Sequence, residues 1–421
     1  MDLEQRLDEL KELGLYRRMR LVSGPQGPRV VLDGKPVLLL CSSNYLGLAD
    51  HPRVREAAAD AAMRWGVSAG GSRVAAGTMT IHRRLEERLA AFHNSESALL
   101  FGSGYLAALG VIGALASAPT HPALLLYDEL SHQSLLDGGA LAGIQTQPYA
   151  HGDMEHLESL LIAGAGRPLI VASDAVFPTD GDVAPLDELV ELARRHRARL
   201  VIDEAHGVGC LGPAGRGAVA EAGLEHEVDV IIGSLGKALG SYGAYVACDA
   251  TVARFLANRA RTLLASTAPP PPAVAGGLAA LELLLEQPHR VDKLHANADT
   301  LRSELAREGF ETAGSTTQLV PLVVGDAGLA VRIREAALEA GVFAEALRPP
   351  TVPAGTSRLR LSVMSSHTKD ELREAAQVLG RAALRCGFRP GAGVPLAATH
   401  AAEPAVRPFD GQAPVAMPRA A

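Results

Sequence analysis

RLVIDEAHG, residues 199–207, is an apolar run that does not alternate with polar residues and that stops at an acid, Asp203. A strand with one face in water alternates, whereas a strand covered on both faces is apolar throughout. Directly before it, 184-APLDELVELARRHRA-198 places Leu186, Leu189, Val190 and Ala193 at i, i+3, i+4 and i+7, the period of a helix. A helix followed by a doubly buried strand is the repeating piece of a parallel sheet with helices on its faces. Four more runs read the same way: 123-ALLLYD-128, 168-PLIVASDAVF-177, 228-VDVIIGSLG-236 and 243-GAYVACD-249. The expected fold is α/β, with a mostly parallel central sheet flanked by helices.

The remainder of the chain arranges itself around that centre. Residues 1–45 read as an N-terminal arm. It opens with a helix carrying Leu3, Leu7, Leu10 and Leu13 on one side. A hairpin follows, 29-RVVLDGKPVLLLCSS-43, turning at Asp33-Gly34. Residues 46–286 form the large domain, in which 268-APPPPAV-274 is a rigid break or a helix start. Residues 287–389 form a small α+β domain of helix (290–309), strand (318–326), helix (330–341), strand (357–364) and a last helix. Thr368 and Glu371 make a capping box for that last helix. The Ala/Pro-rich tail, 390–421, has no periodicity and is expected to be disordered.

Composition narrows the partners. The chain has 421 residues and a net charge of -7, so no overall positive field favours nucleic acid. Hydrophobic residues make up 48% and aromatic residues 4%, which calls for an aliphatic core. The four cysteines show no CxxC spacing, so neither a disulfide framework nor a metal site is expected. The charged N-terminus lacks the apolar stretch of a signal peptide, and no segment is long and apolar enough to span a bilayer. A cytoplasmic location is expected.

The chemistry turns on 233-GSLGKALGSYG-243. As a phosphate loop it fails, because Lys237 is followed by Ala238 and Ile231 stands where the first glycine belongs. Asp203–His206 spells DEAH, but a helicase box needs that missing loop. Residues 102–107, GSGYLA, nearly match a dinucleotide fingerprint, yet no acid follows at the ribose spacing. A lysine that forms an imine with a cofactor fits better, its glycines letting backbone approach the ring. Pyridoxal phosphate also requires a carboxylate for its ring nitrogen and amides or hydroxyls for its phosphate. Asp203, at the end of its strand, supplies the first. Ser103, Gly104 and Tyr105, before an apolar helix, supply the second. His132 suits ring stacking, and His206 suits the phenolic oxygen. Singly, these histidines read equally well as structural ones, and Asp203 as a loop acid. Their order and spacing carry the argument.

At these residues the chain resembles the pyridoxal-phosphate-dependent α-oxoamine synthases. The likeness extends from about Gly14 to about Gly387 and rests on NYLGLADHP, GSRVAAGT, HRRLEERLAAF, DELSHQSLLDG, GDVAPLDEL, DEAHGVGCLGPAGRG, GSLGKALGSYG, STAPPP and RPPTVPAGTSRLRLS. The resemblance implies a fold-type I aminotransferase-like architecture and a homodimer with shared active sites. It implies Lys237 as the cofactor-bearing lysine and base, with Asp203, His206 and His132 as its catalytic companions. Ser103, Gly104, Tyr105 and Ser234 would hold the phosphate, and Ser266 and Thr267 would reach the phosphate of the neighbouring subunit. Arg360 would hold an amino-acid carboxylate through its guanidinium fork. Asn44, Ser72, Thr351 and Arg17 are the remaining substrate-side candidates. The implied reaction joins a small amino acid, L-alanine first, to an acyl thioester, a pimeloyl one first, carried on CoA or a carrier protein. Related enzymes using glycine or serine, and an inert dimer partner, are the alternatives. Ser43, Asp174 and Pro178 depart from the family pattern on the substrate side.

Overall fold

The computed structural model describes residues 3–13, 15–117, 121–312, 314–349 and 351–388; the tail considered above lies outside them. Its centre is a seven-stranded sheet whose strands we number in chain order: β1 (Ser97–Phe101), β2 (Leu124–Asp128), β3 (Gln145–Tyr149), β4 (Leu169–Asp174), β5 (Arg199–Asp203), β6 (Val230–Ser234) and β7 (Ala244–Cys248). The spatial order is β1-β7-β6-β5-β4-β2-β3. All pairings are parallel except those of β7, which runs antiparallel to β1 and β6.

The unbroken apolar runs follow from two cores. Leu100, Leu126, Val171, Ile202 and Ile231 face one core, with helices Thr80–Phe92, Leu186–His196 and Pro271–Glu286. Phe101, Leu125, Ile170, Val201 and Ile232 face the other, with helices Gly104–Leu115, Gln133–Ala142 and Ala250–Arg259. Neighbouring residues thus point into opposite cores, and each buried aliphatic side chain contributes about 1.5–3 kcal/mol. The proline run is a helix start, with Pro271 as first residue of Pro271–Glu286.

In the C-terminal region, helix His289–Arg307 packs on Lys369–Arg385. A three-stranded antiparallel sheet has Ser357–Ser362 in the middle, between Leu319–Gly325 and Glu345–Leu347. Thr368 and Glu371 do form a capping box. The hairpin Arg29–Leu32/Lys35–Leu39 turns at Asp33 (φ 48°) and Gly34 (φ 83°), both left-handed as a tight hairpin requires. Sequence reading did not foresee that Lys35–Leu39 also pairs in parallel with Val342–Phe343, which seats the hairpin on the C-terminal region. A two-residue strand carries no periodicity to read. All four cysteines are free.

Candidate active site

The parallel strands end at one edge of the sheet, and the chemical groups gather there. β1 leads into Gly102–Tyr105, β2 into His132, β4 ends at Asp174, β5 at Asp203, and β6 at Ser234 before Lys237. Register aligns them. Asp174 lies opposite Asp203, and Ala244 of β7 pairs with both Ser234 and Phe101. Such a crevice beyond the carboxyl ends of strands is where open α/β sheets bind ligands.

Lys237 Nζ stands 2.7 Å from His206 Nε2, and His206 Nδ1 stands 2.7 Å from the hydroxyl of Tyr45. Burial drives both charged forms down. Lys237 is lowered from its ordinary value to about 8, with Asp203 and Asp174 opposing the burial and Arg360 adding to it. His206 falls well below its ordinary value, through burial and then Lys237. The imidazole is therefore neutral. In the tautomer that carries its proton on Nδ1, Nε2 accepts from the amine and Nδ1 donates to Tyr45. The His206 carbonyl is held in turn by Gln318 Nε2 at 2.9 Å.

Asp203 Oδ1 accepts from Ala205 N at 2.9 Å, which leaves Oδ2 for another donor. Asp174 Oδ2 accepts from His132 N at 2.7 Å. Asp174 is pushed well above the carboxylate range by burial and by its neighbour Asp203. Two adjacent buried carboxyls do not both carry charge at low cost. His132 caps helix Gln133–Ala142, its Nδ1 lying 2.7 Å from Ser134 Oγ, and the residue is exposed.

Ser103 is the N-cap of helix Gly104–Leu115, its Oγ accepting from Leu106 N at 3.2 Å. A side chain built on Gly104 would meet open space, so this helix N-terminus is accessible. Tyr105 is exposed and donates to Asp137 at 2.6 Å. Ser234 Oγ accepts from Gly236 N at 3.2 Å. Two of the loop glycines face protein rather than open space. A Cβ on Gly233 would lie 2.1 Å from the Tyr245 ring, and one on Gly240 would lie 2.4 Å from Ala49 N. These two admit neighbouring protein; Gly236 is the exposed one.

Arg360 donates from Nη2 to Glu345 Oε2 at 2.5 Å and from Nη1 to the Pro178 carbonyl at 3.2 Å. Its charge acts on Lys237, His206 and His132, lowering each. Two residues away on the same strand, Arg358 forms a buried ion pair with Asp180. Asn44 is buried, with Nδ2 on Gln26 O and Oδ1 on Ala49 N, and so braces the backbone. Ser72 pairs with Thr267 in an isolated antiparallel bridge. Ser266 Oγ bonds Thr262 O, Thr351 N bonds Arg348 O at 3.0 Å, and Arg17 is exposed. Tyr45, Gln318 and Glu345 were not singled out from sequence. Tyr45 lies inside the quoted NYLGLADHP, but nothing local to it points at His206.

The donor set suits pyridoxal phosphate. A depressed lysine amine, a buried acid with one oxygen to offer and an open helix N-terminus stand at one sheet edge. Residues 35–379 match the family described as aminotransferase class I and II. An 8-amino-7-oxononanoate synthase of Citrifermentans bemidjiense is 46% identical over 387 residues, covering 91% of this chain and 98% of that protein. A solved structure of SPT with a PLP internal aldimine is 28% identical, with a TM-score of 0.86 over 92% of this chain and 98% of that one. A solved 8-amino-7-oxononanoate synthase from Francisella tularensis, 24% identical, shares the fold with a TM-score of 0.72 over 83% of this chain and 98% of its own.

Proposed function

The chain belongs to the aminotransferase class I and II family, and on that premise we propose that it is a pyridoxal-phosphate-dependent 8-amino-7-oxononanoate synthase. It condenses L-alanine with a pimeloyl thioester and releases CO2 and the free thiol. The carrying observation is the convergence of Lys237, His206 and Asp203 at the strand ends, in a chain 46% identical to a synthase of that name.

Bound at this edge, pyridoxal phosphate supplies an electron sink for the carbon that bears the amino group. Asp203 would hold the ring nitrogen, its Oδ1 already engaged by Ala205 N. Ser103, Gly104, Tyr105 and Ser234 would hold the phosphate, and in a homodimer Ser266 and Thr267 would reach the phosphate of the neighbouring subunit. His132 would cover the cofactor ring, and His206 would serve its phenolic oxygen. Arg360 fixes the amino-acid carboxylate. That contact sets the Cα proton near Lys237, whose amine, lowered to about 8, takes it and later returns it. Neutral His206, backed by Tyr45, keeps the amine oriented. Ser72, Thr351 and Arg17 line the acyl side, on CoA or a carrier protein.

A homodimer gives the exposed apolar groups a cover. Helix Leu3–Glu12 buries none of its own residues, with Leu3, Leu7 and Leu10 exposed. Met19 and Met63 are 98% and 88% exposed. Among the described residues no helix is long and apolar enough to cross a membrane. We place the enzyme in the cytoplasm.

The test is a matrix of amino acids against acyl thioesters, read by thiol release and product mass. Turnover of alanine with the pimeloyl thioester above all other pairs supports the reading. Preference for serine, as the likeness to an SPT structure would suggest, or no turnover at all overturns it. In Lys237→Ala, borohydride must no longer fix the cofactor to the chain.

A further inference from the structure

Arg360 has three donor positions, and the structure uses them unequally. Nη1 is anchored on the Pro178 carbonyl at 3.2 Å. Nε and Nη2 form the side edge of the guanidinium, the one that grips a carboxylate with two parallel bonds. Glu345 Oε2 takes only Nη2, at 2.5 Å, while Nε is buried with no partner. Glu345 and Arg360 are directly opposite in an antiparallel pair, close enough for their side chains to meet. Cys41 senses both: its thiol is pushed up to about 12 by burial first, then by Glu345, with Arg360 opposing.

We propose that Glu345 stands in for the substrate carboxylate, holding Arg360 in the substrate-free enzyme and giving up Nη2 when the amino acid arrives. This rests on the amino-acid-condensing function above. The exchange is asymmetric for three reasons. An incoming carboxylate bridges Nε and Nη2 and so satisfies the buried donor that Glu345 leaves unpaired. The Glu345 side chain is 46% exposed against 17% for Arg360, so Glu345 returns to water at little cost. The Pro178 anchor keeps the guanidinium plane in place while its partner changes. Glu345 is therefore a positioning residue that competes with substrate, and it weakens amino-acid affinity.

The holoenzyme decides this by calorimetric titration with L-alanine and with ethylamine, which lacks the carboxylate. Glu345→Gln keeps the shape and removes the competing charge; Glu345→Ala removes the side chain and checks the direction. Both variants should bind alanine about two- to fivefold more tightly, the factor a half-exposed ion pair allows. Ethylamine affinity should stay the same. Unchanged or weaker alanine binding overturns the proposal, as does an equal gain for ethylamine, which would mark a merely structural effect. If wild-type protein binds no amino acid while retaining its cofactor, the synthase function itself fails and this inference falls with it.

Discussion

The Arg358–Asp180 pair ties the C-terminal sheet to the loop after β4, and its removal has a calculable effect. Both side chains are 3% exposed. Arg358 also donates to Thr356 O at 3.0 Å, and Asp180 accepts from Thr179 Oγ1 at 3.1 Å. Arg358→Met would leave the Asp180 charge buried with only a hydroxyl for company. Breaking a buried pair from one side costs about 3–5 kcal/mol. An unfolding entropy of about 2.1 cal/mol/K per residue gives roughly 0.9 kcal/mol/K for a chain of this length, so Tm should fall by about 3–6 °C. Differential scanning calorimetry at constant protein and cofactor concentration reads this directly. The double variant Arg358→Met/Asp180→Leu should regain most of the loss, because a packed apolar pair replaces the ions without a stranded charge. The same loop presents the Pro178 carbonyl to Arg360, so the single variant should also raise the KM for alanine. A loss under about 1 °C, or a double variant no better than the single, would refute the view of the pair as a dry clamp.

Three further outcomes are expected. In cofactor-free protein, acetylation of Lys237 followed by peptide mass spectrometry should have its pH midpoint near 8, and a midpoint near 10.5 would remove the argument from burial. Asp203→Asn should retain cofactor yet lose turnover by about 10²-fold or more, as when a fixed electrostatic partner is deleted; unchanged turnover would take Asp203 off the ring nitrogen. His151 is depressed by burial, but its bonds to Asp128 and Asp182 outweigh that and lift it to about 10. Because the folded value is raised, its stabilisation should be complete below the ordinary histidine value of 6.5 and disappear as pH rises to about 10. The Tm gap between wild type and His151→Asn, followed over that range, should narrow; a constant gap refutes the linkage.

Much of the fold was legible because β2, β4, β5 and β6 are buried on both faces and so carry a signal within themselves. Asp203 and Lys237 were legible for a related reason, since each punctuates such a run. What could not be read depends on distance along the chain. Tyr45 meets His206 across 161 positions, and nothing local to Tyr45 points at that partner. Glu345 sits in the three-residue strand Glu345–Leu347, too short for any period. Gly233 and Gly240 were read as room for a ring because the sequence shows only that a side chain is absent. Tyr245 and Ala49, which fill those spaces, arrive from elsewhere. Asn44 was read toward substrate, and its amide also braces the backbone at Gln26 and Ala49, partners that no local spacing announces.

The pairing of Leu38 with Val342 also sets a schedule for the chain as it is made. The hairpin leaves the ribosome early, but the strand that closes its outer edge follows about 300 residues later. At about 5–20 residues per second, that edge waits roughly 15–60 s. Throughout this interval the amides of Leu38 and Leu40, which end on Gly341 and Phe343, have no partner, and two fully buried leucines have no cover. An open strand edge of that kind invites pairing between nascent chains. The newborn polypeptide therefore carries an exposed edge at its first hairpin until residues 342–343 have been added.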